Sequence, residues 1–144
     1  MQYGSFTEDD AKKAMEVISR RPSTVPRMIF FDGHPCDVRR AVDAGFDLFV
    51  LRIPVIWAEK GVAMCFGFDP DDTFEDLCMD LKDMEYARDH RPLVEGCDCL
   101  CCRNHTRSYV HHLLEVHEIL AGTLLVLHNL RHYQRFFEAI RKEI

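Results

Sequence analysis

The chain has no apolar run long enough to cross a bilayer. Its longest, Leu48 to Trp57, is interrupted by Arg52 and Pro54, whereas a span needs about 20 apolar residues. It also lacks a charged-then-apolar leader, because MQYGSFTEDDAKK turns polar at once, so neither a signal peptide nor a membrane anchor is expected. Basic charge is not in excess: 24 acidic residues face 18 basic ones, for a formal charge of -6. Nine acidic residues fall between Asp69 and Asp89, against only Lys82 and Arg88. A generally basic nucleic-acid binder is excluded by that balance. From Cys97 onward the count is nearly even, so any polyanion contact is expected near the C-terminal arginines. Internal repeats and low-complexity tracts are absent. Cysteine, in contrast, is plentiful and odd in number, with seven in 144 residues. Without sign of secretion these read as reduced thiols, not a disulfide frame, and the expected location is the cytosol.

At 47% hydrophobic content the chain can build one core, or part of a larger one. Thr7 with Asp10 reads as a capping box, followed by Ala11, Ala14, Met15 and Ile18 at helical spacing until Pro22. MIFF is a short strand, D-G-H-P a turn, and Val38, Ala41 and Val42 a helix ending at Gly45. FDLFVLRI is again a strand. Strand, helix and strand in so short a span predict a βαβ unit and an α/β fold with parallel pairing. Val62 to Phe68 is a third candidate strand. In the acidic segment Phe74, Leu77, Cys78 and Leu81 have helical spacing, while MDLKDMEY reads equally as a strand and turn. Val110, Leu113, Leu114, Val116 and Leu120 predict a helix over 106–120, stopped by Ala121-Gly122. A last helix, N-capped by Asn129, aligns Tyr133, Phe136, Phe137, Ile140 and Ile144.

The chemistry-bearing stretch is G-C-D-C-L-C-C-R-N-H, residues 96–105. Zinc takes four ligands in a tetrahedron, and thiolates two and three residues apart on a turn can face one ion. Cys97-x-Cys99-x2-Cys102 meets that requirement, with Cys101 as an alternative third. The fourth ligand is open among His105, His111, His112, His117 and His128. Free or redox-active thiols are the plainer reading, but so many cysteines backed by histidines favour a metal. Four protein ligands leave no open position, so such a metal is structural.

The run PLVEGCDCLCCRNHTRSYVHHLLEVHEILAGTLLVLHNLRHYQRFFEAIR resembles the zinc-binding C-terminal region of the tRNA-guanine transglycosylases, whose pattern is C-x-C-x2-C, twenty-five residues, then H. Cys97, Cys99, Cys102 and His128 match it without a gap, which selects His128 and leaves Cys101 a bystander. Upstream, MDLKDMEYARDHRPL and GHPCDVRRAVDAGFDLF are similar to the family's segments before the zinc site and before the catalytic strand. The resemblance implies the C-terminal part of a (β/α)8 barrel with an inserted zinc-binding subdomain. Residues 1–68 would form the last βα units, and 69–144 the zinc subdomain and closing helices. Since such barrels take about 250 residues, the chain reads as a C-terminal fragment.

In that family an aspartate displaces guanine from the ribose at the wobble position of tRNA, in the setting G-V-D-x-F-D-C-V-x-P-T-R-x-x-R. Here the corresponding stretch is G-F-D-L-F-V-L-R-I-P-V-I-W-A-E. Anchoring on Gly45, Asp47, Phe49 and Pro54 puts Val50 at the nucleophile position, and an isopropyl group cannot attack. Asp47, an odd number of residues away, points to the opposite strand face and reads as structural. Ile56 and Glu59 replace arginines of the tRNA-contacting loop, and Phe31 replaces a glycine that leaves room for the base. No catalytic residue is therefore expected.

Eukaryotic members pair a catalytic subunit with a related one lacking the chemistry, and GCDCLCCRNHTRSYVHHLL resembles the latter. The resemblance thus implies one structural Zn2+ per chain, a heterodimer with the catalytic subunit through the zinc-side region, and tRNA binding through the complex. It also implies cytoplasmic residence with peripheral association at the outer mitochondrial membrane. Two other readings stand beside it. One is an independent zinc-stabilised nucleic-acid module using Arg103, Arg107, Arg131, Arg135 and Arg141; the other is residual transglycosylase activity through another carboxylate. A partial barrel would expose apolar strand faces, so the isolated chain is expected to self-associate.

Overall fold

The computed structural model describes residues 6–20, 24–68 and 78–143. The chain divides into two compact units, with the boundary between Ile53 and Pro54.

In the first unit, helix α1 (Glu8–Ser19) begins at the expected capping box. The Thr7 hydroxyl accepts from Asp10 N at 3.2 Å, and the Asp10 carboxylate accepts from Thr7 N at 3.0 Å. Residues 21–23, and with them the Pro22 stop, lie outside the described residues. Strand β1 (Met28–Phe31), helix α2 (Pro35–Asp43) and strand β2 (Leu48–Leu51) form the expected βαβ unit. Its strands are parallel, with Met28 opposite Leu48 and Phe31 opposite Leu51. Pro35 opens α2, where its missing N–H costs nothing, and α2 buries Val38 and Ala41. Gly33 makes the turn out of β1 at φ +91, and a Cβ there would meet the Leu51 side chain at 2.8 Å. Glycine alone fits both the backbone and the space. Phe6, Phe31 and Phe46 close this small core with edge and tilted ring contacts. On the sheet's other face Met28, Phe30, Leu48 and Val50 all remain exposed.

The second unit departs further from expectation. The β2 strand ends at Leu51, two residues short of the expected run, and Ile53 starts a helix, α3 (Ile53–Glu59), for which the sequence predicts no element. Pro54 sits in its first turn, the one place a helix tolerates proline. Strand β3 is only Val62–Met64; it pairs antiparallel with β4 (Cys78–Asp80), Val62 opposite Asp80. For Cys78 to Leu81 the strand-and-turn reading holds, while Phe74 and Leu77 lie outside the described residues. A 3-10 turn, Met84–Arg88, leads toward α4 (Leu100–Asn104), α5 (Arg107–Glu115) and α6 (Ile119–Glu143). Leu81, Leu93, Cys101, Val110, Leu124 and Leu125 form the fully buried centre. Phe66, Tyr133 and Phe136 extend it as an aromatic cluster.

Two expectations about the last helices fail together. The α5 helix ends at Glu115, before Gly122, because His117 takes the left-handed conformation at φ 56. Glu118 N then donates to Leu113 O at 2.9 Å and His117 N to Leu114 O at 3.3 Å, a complete Schellman stop. Helix α6 is continuous through Gly122, and Asn129 is no N-cap but a fully buried residue in its middle. Among the described residues the strands form these two two-stranded sheets and no closed barrel. No described helix is long and apolar enough to cross a membrane.

Candidate metal centre

Three thiols reach the site from one short loop. Gly96 turns the chain at φ 70, Cys97 N donates to Val94 O at 3.2 Å, and the buried Cys97 side chain points inward. Cys99 occupies the N-cap of α4 and its Sγ accepts from Cys102 N at 3.3 Å, so a sulfur takes the place of the usual capping oxygen. Cys102 lies one turn further along the same helix. Cys101, between them, turns into the apolar core; burial pushes its thiol up to about 12. It stays a neutral thiol, as a bystander should.

The fourth group comes from the middle of α6. Nδ1 of the buried His128 stands 3.9 Å from Cys97 Sγ, 3.5 Å from Cys99 Sγ and 3.3 Å from Cys102 Sγ. The four donor atoms lie within 4.8 Å of one another and could hold a metal ion. Ligand bonds of about 2.3 Å to sulfur and 2.0–2.1 Å to nitrogen, at tetrahedral angles, would separate N from S by about 3.5 Å. The three observed separations bracket that value, so the residues present fit a four-coordinate ion of zinc's size and softness.

The other ring nitrogen of His128 fixes the tautomer. Nε2–H donates to Met64 O at 2.8 Å, which leaves the Nδ1 lone pair for a metal, as outer hydrogen bonds to histidine ligands commonly do. Without an ion the cluster shares protons. Burial pulls His128 down, but its bonds to Cys97 and Cys99 outweigh that and raise it to about 9. Cys99 is lowered, first by its bond from Cys102, while Cys102 is raised by the same bond and by burial. Cys97 is lowered too, its bonds overcoming burial. Negative charge is thus gathered on sulfur inside the core, where a cation would be held strongly.

Of the six downstream histidines only His128 joins the thiols. His105 stacks on Tyr109, His111 is buried with Nδ1 2.8 Å from Leu81 O, and His112 and His117 are exposed. Sequence reasoning missed three groups around the site. Arg131 donates through Nε and Nη2, each at 2.8 Å, to the two carboxylate oxygens of Asp98, the residue between Cys97 and Cys99. The buried Asn129 side chain makes three hydrogen bonds to backbone groups of 54, 62 and 64. His132 Nε2 bonds Phe66 O at 2.9 Å; burial and the neighbouring His128 hold its pKa down to about 4. The signal was available: Leu125, His128, Asn129, His132, Tyr133 and Phe136 share one helical stripe. Polar residues inside an apolar stripe must find partners.

Val50, which the resemblance aligns with the nucleophile, lies exposed on β2 opposite Phe30, and Asp47 sits just before the strand with Oδ2 accepting from Arg27 N at 2.8 Å. Phe31 is buried in the first unit; Ile56 and Glu59 lie on α3.

A model of the queuine tRNA-ribosyltransferase family matches residues 4–144. Among similar proteins is one named queuine tRNA-ribosyltransferase accessory subunit 2 from Danio rerio. It is 37% identical over 176 residues, taking in 99% of this chain and 42% of its own length. Proteins of the same name from Homo sapiens (37% over 160 residues; 89% and 39%) and Drosophila pseudoobscura pseudoobscura (36% over 144 residues; 97% and 34%) are also similar. The chain therefore spans between 34% and 42% of the length of these curated relatives.

Proposed function

The chain belongs to the queuine tRNA-ribosyltransferase family, and on that premise we propose that it acts as a non-catalytic, zinc-bearing accessory subunit. Its complex exchanges guanine for queuine at the wobble position of tRNA. The observation that carries this reading is the meeting of His128 Nδ1 with Cys97, Cys99 and Cys102 at the family's own spacing. Bound zinc would supply a closed tetrahedral crosslink and no open coordination position. The three thiols then tie the loop before α4 to α6, and His128 ties both to the strand at Met64.

The absence of chemistry rests on Val50, whose aliphatic side chain stands at the nucleophile position. Asp47, engaged with the Arg27 backbone, is no substitute. The parallel β1–α2–β2 unit would form the last βα units of a (β/α)8 barrel. Cytoplasmic residence, with peripheral association at the outer mitochondrial membrane, belongs to the same proposal, and cell fractionation tests it.

Dimerisation with the catalytic subunit is supported by α6, which leaves Leu120, Leu127 and Leu130 exposed with Thr123 and Gln134 at alternating three- and four-residue steps. That is the spacing of a helix seam awaiting another helix. The module reading, with arginines lining a phosphate path, loses support. Arg107 is bound to Asp89 and two carbonyls, and Arg131 to Asp98 and Glu138.

Elemental analysis of protein purified without added zinc tests the centre: one zinc per chain, lost in His128→Ala and kept in Cys101→Ser. Zinc indifferent to His128 would refute it. For the complex, Leu127→Glu with Leu130→Glu should abolish copurification with the catalytic subunit while zinc stays bound. Guanine exchange by the full-length protein alone would contradict the non-catalytic role.

A further inference from the structure

His128 can serve a metal only if its ring is held at one rotation, and the group that holds it is the carbonyl of Met64. That carbonyl belongs to a short strand end, and among the described residues the ladder stops there. The peptide chain around Met64 is secured by the residue next to His128. Asn129 Oδ1 accepts from Met64 N at 2.9 Å, and its Nδ2 donates to Val62 O and to Pro54 O, both at 3.0 Å. Asn129 is fully buried, and both of its amide hydrogens and its oxygen are engaged. Adjacent residues of α6 therefore grip the two sides of one strand residue, Asn129 at the N–H and His128 at the carbonyl.

We propose that Asn129 is a positioning residue of the metal centre, acting through Met64 to set the orientation of His128. The proposal rests on the metal-centre reading and adds a residue to it. A side chain one covalent position from the ligand, fixing the backbone that fixes the ligand's ring, lies one step beyond the usual outer hydrogen bond. Partners of that usual kind change metal affinity about 10–100-fold, so Asn129 belongs near the lower end, about ten-fold. Coupling of this kind is reciprocal. If the Asn129–Met64 bond strengthens metal binding, metal binding must strengthen that bond by a comparable factor.

The experiment measures zinc release to a chromogenic chelator from the wild-type chain, Asn129→Asp, Asn129→Ala and Leu113→Ala. The last removes another buried side chain of the same core, on α5. The proposal expects faster release from both Asn129 variants, about ten-fold for Asn129→Ala, with Leu113→Ala close to wild type. Substitution by Co2+ should show altered ligand-field bands only in the Asn129 variants. Release from Leu113→Ala as fast as from Asn129→Ala would reduce Asn129 to an ordinary core residue and overturn the proposal.

Should both Asn129 variants fail to fold, hydrogen exchange on the wild-type chain decides. Zinc must slow exchange at the Met64 amide about ten-fold more than at Leu81, and equal slowing overturns the relay. Wild-type protein that holds no zinc refutes the metal-centre reading itself. Zinc held equally well by folded Asn129 variants refutes only the relay.

Discussion

The carboxylate of Asp89 accepts from Arg91 through backbone N, Nε and Nη2 and from Arg107 Nη1, while Arg107 also donates to the carbonyls of Pro92 and Leu93. These bonds, Arg91's first and then Arg107's, hold the Asp89 carboxyl well below the usual carboxylate range. A folded-state value below the unfolded one means that the ion pair's contribution is complete above the ordinary value of about 4. It fades as pH falls toward the lower, folded value. Asp89→Asn should therefore melt several degrees below wild type at neutral pH. The gap should narrow in thermal scans below about pH 4, and a gap unchanged by acid would show that the charge is not what matters. Nothing in the sequence announced this pair, because its partners are eighteen residues apart. The thiols were legible from spacing, with Cys101 an alternative third until the family pattern set it aside. His128 was legible only through the family pattern, since six histidines follow the thiols, three of them buried, and only the fold brings one to the sulfurs. Asn129 was misread because asparagine before a run of apolar residues looks like a helix start when its burial is unknown.

At the scale of elements, local signals succeeded where the deciding contacts were local. The capping box of α1 is settled within a few residues, each strand and the helix of the βαβ unit by its own short pattern, and both appear as read. The α5–α6 junction depended on a conformation that sequence patterns rarely flag, a histidine in the left-handed region. Glycine inside a helix costs only about 1 kcal/mol relative to alanine, so Gly122 could not stop α6 once tertiary packing favoured it. The left-handed geometry costs a non-glycine residue about 1–2 kcal/mol, and glycine returns part of that gain through its freer unfolded chain. His117→Gly should thus stabilise the protein by about 0.5–1 kcal/mol, read as a higher urea midpoint. A lower midpoint would mean that the imidazole makes a contact that outweighs its backbone strain. The α3 helix was missed for a related reason: Ile53 and Val55 favour strands by content, and the proline that seemed to break the run instead occupies a first turn.

For the whole molecule, each unit has its own core, yet the first leaves Met28, Phe30, Leu48 and Val50 side by side on an open sheet face. Two parallel strands make a poor free-standing sheet, and the α/β class was legible while the number of strands was not. The isolated chain is expected to associate with itself as concentration rises, and Phe30→Lys with Val50→Lys should suppress this in sedimentation experiments. A wild-type chain that stays monomeric at high concentration would count against the partial-barrel proposal. The second unit closes around groups that are far apart along the chain, with Cys102 and His128 twenty-six residues from each other. Translation at about 5–20 residues per second delivers the three thiols roughly 1–5 s before the imidazole. During that interval each nascent chain carries a half-made cradle of reactive sulfur, and whatever guards it then must come from the cell that makes it.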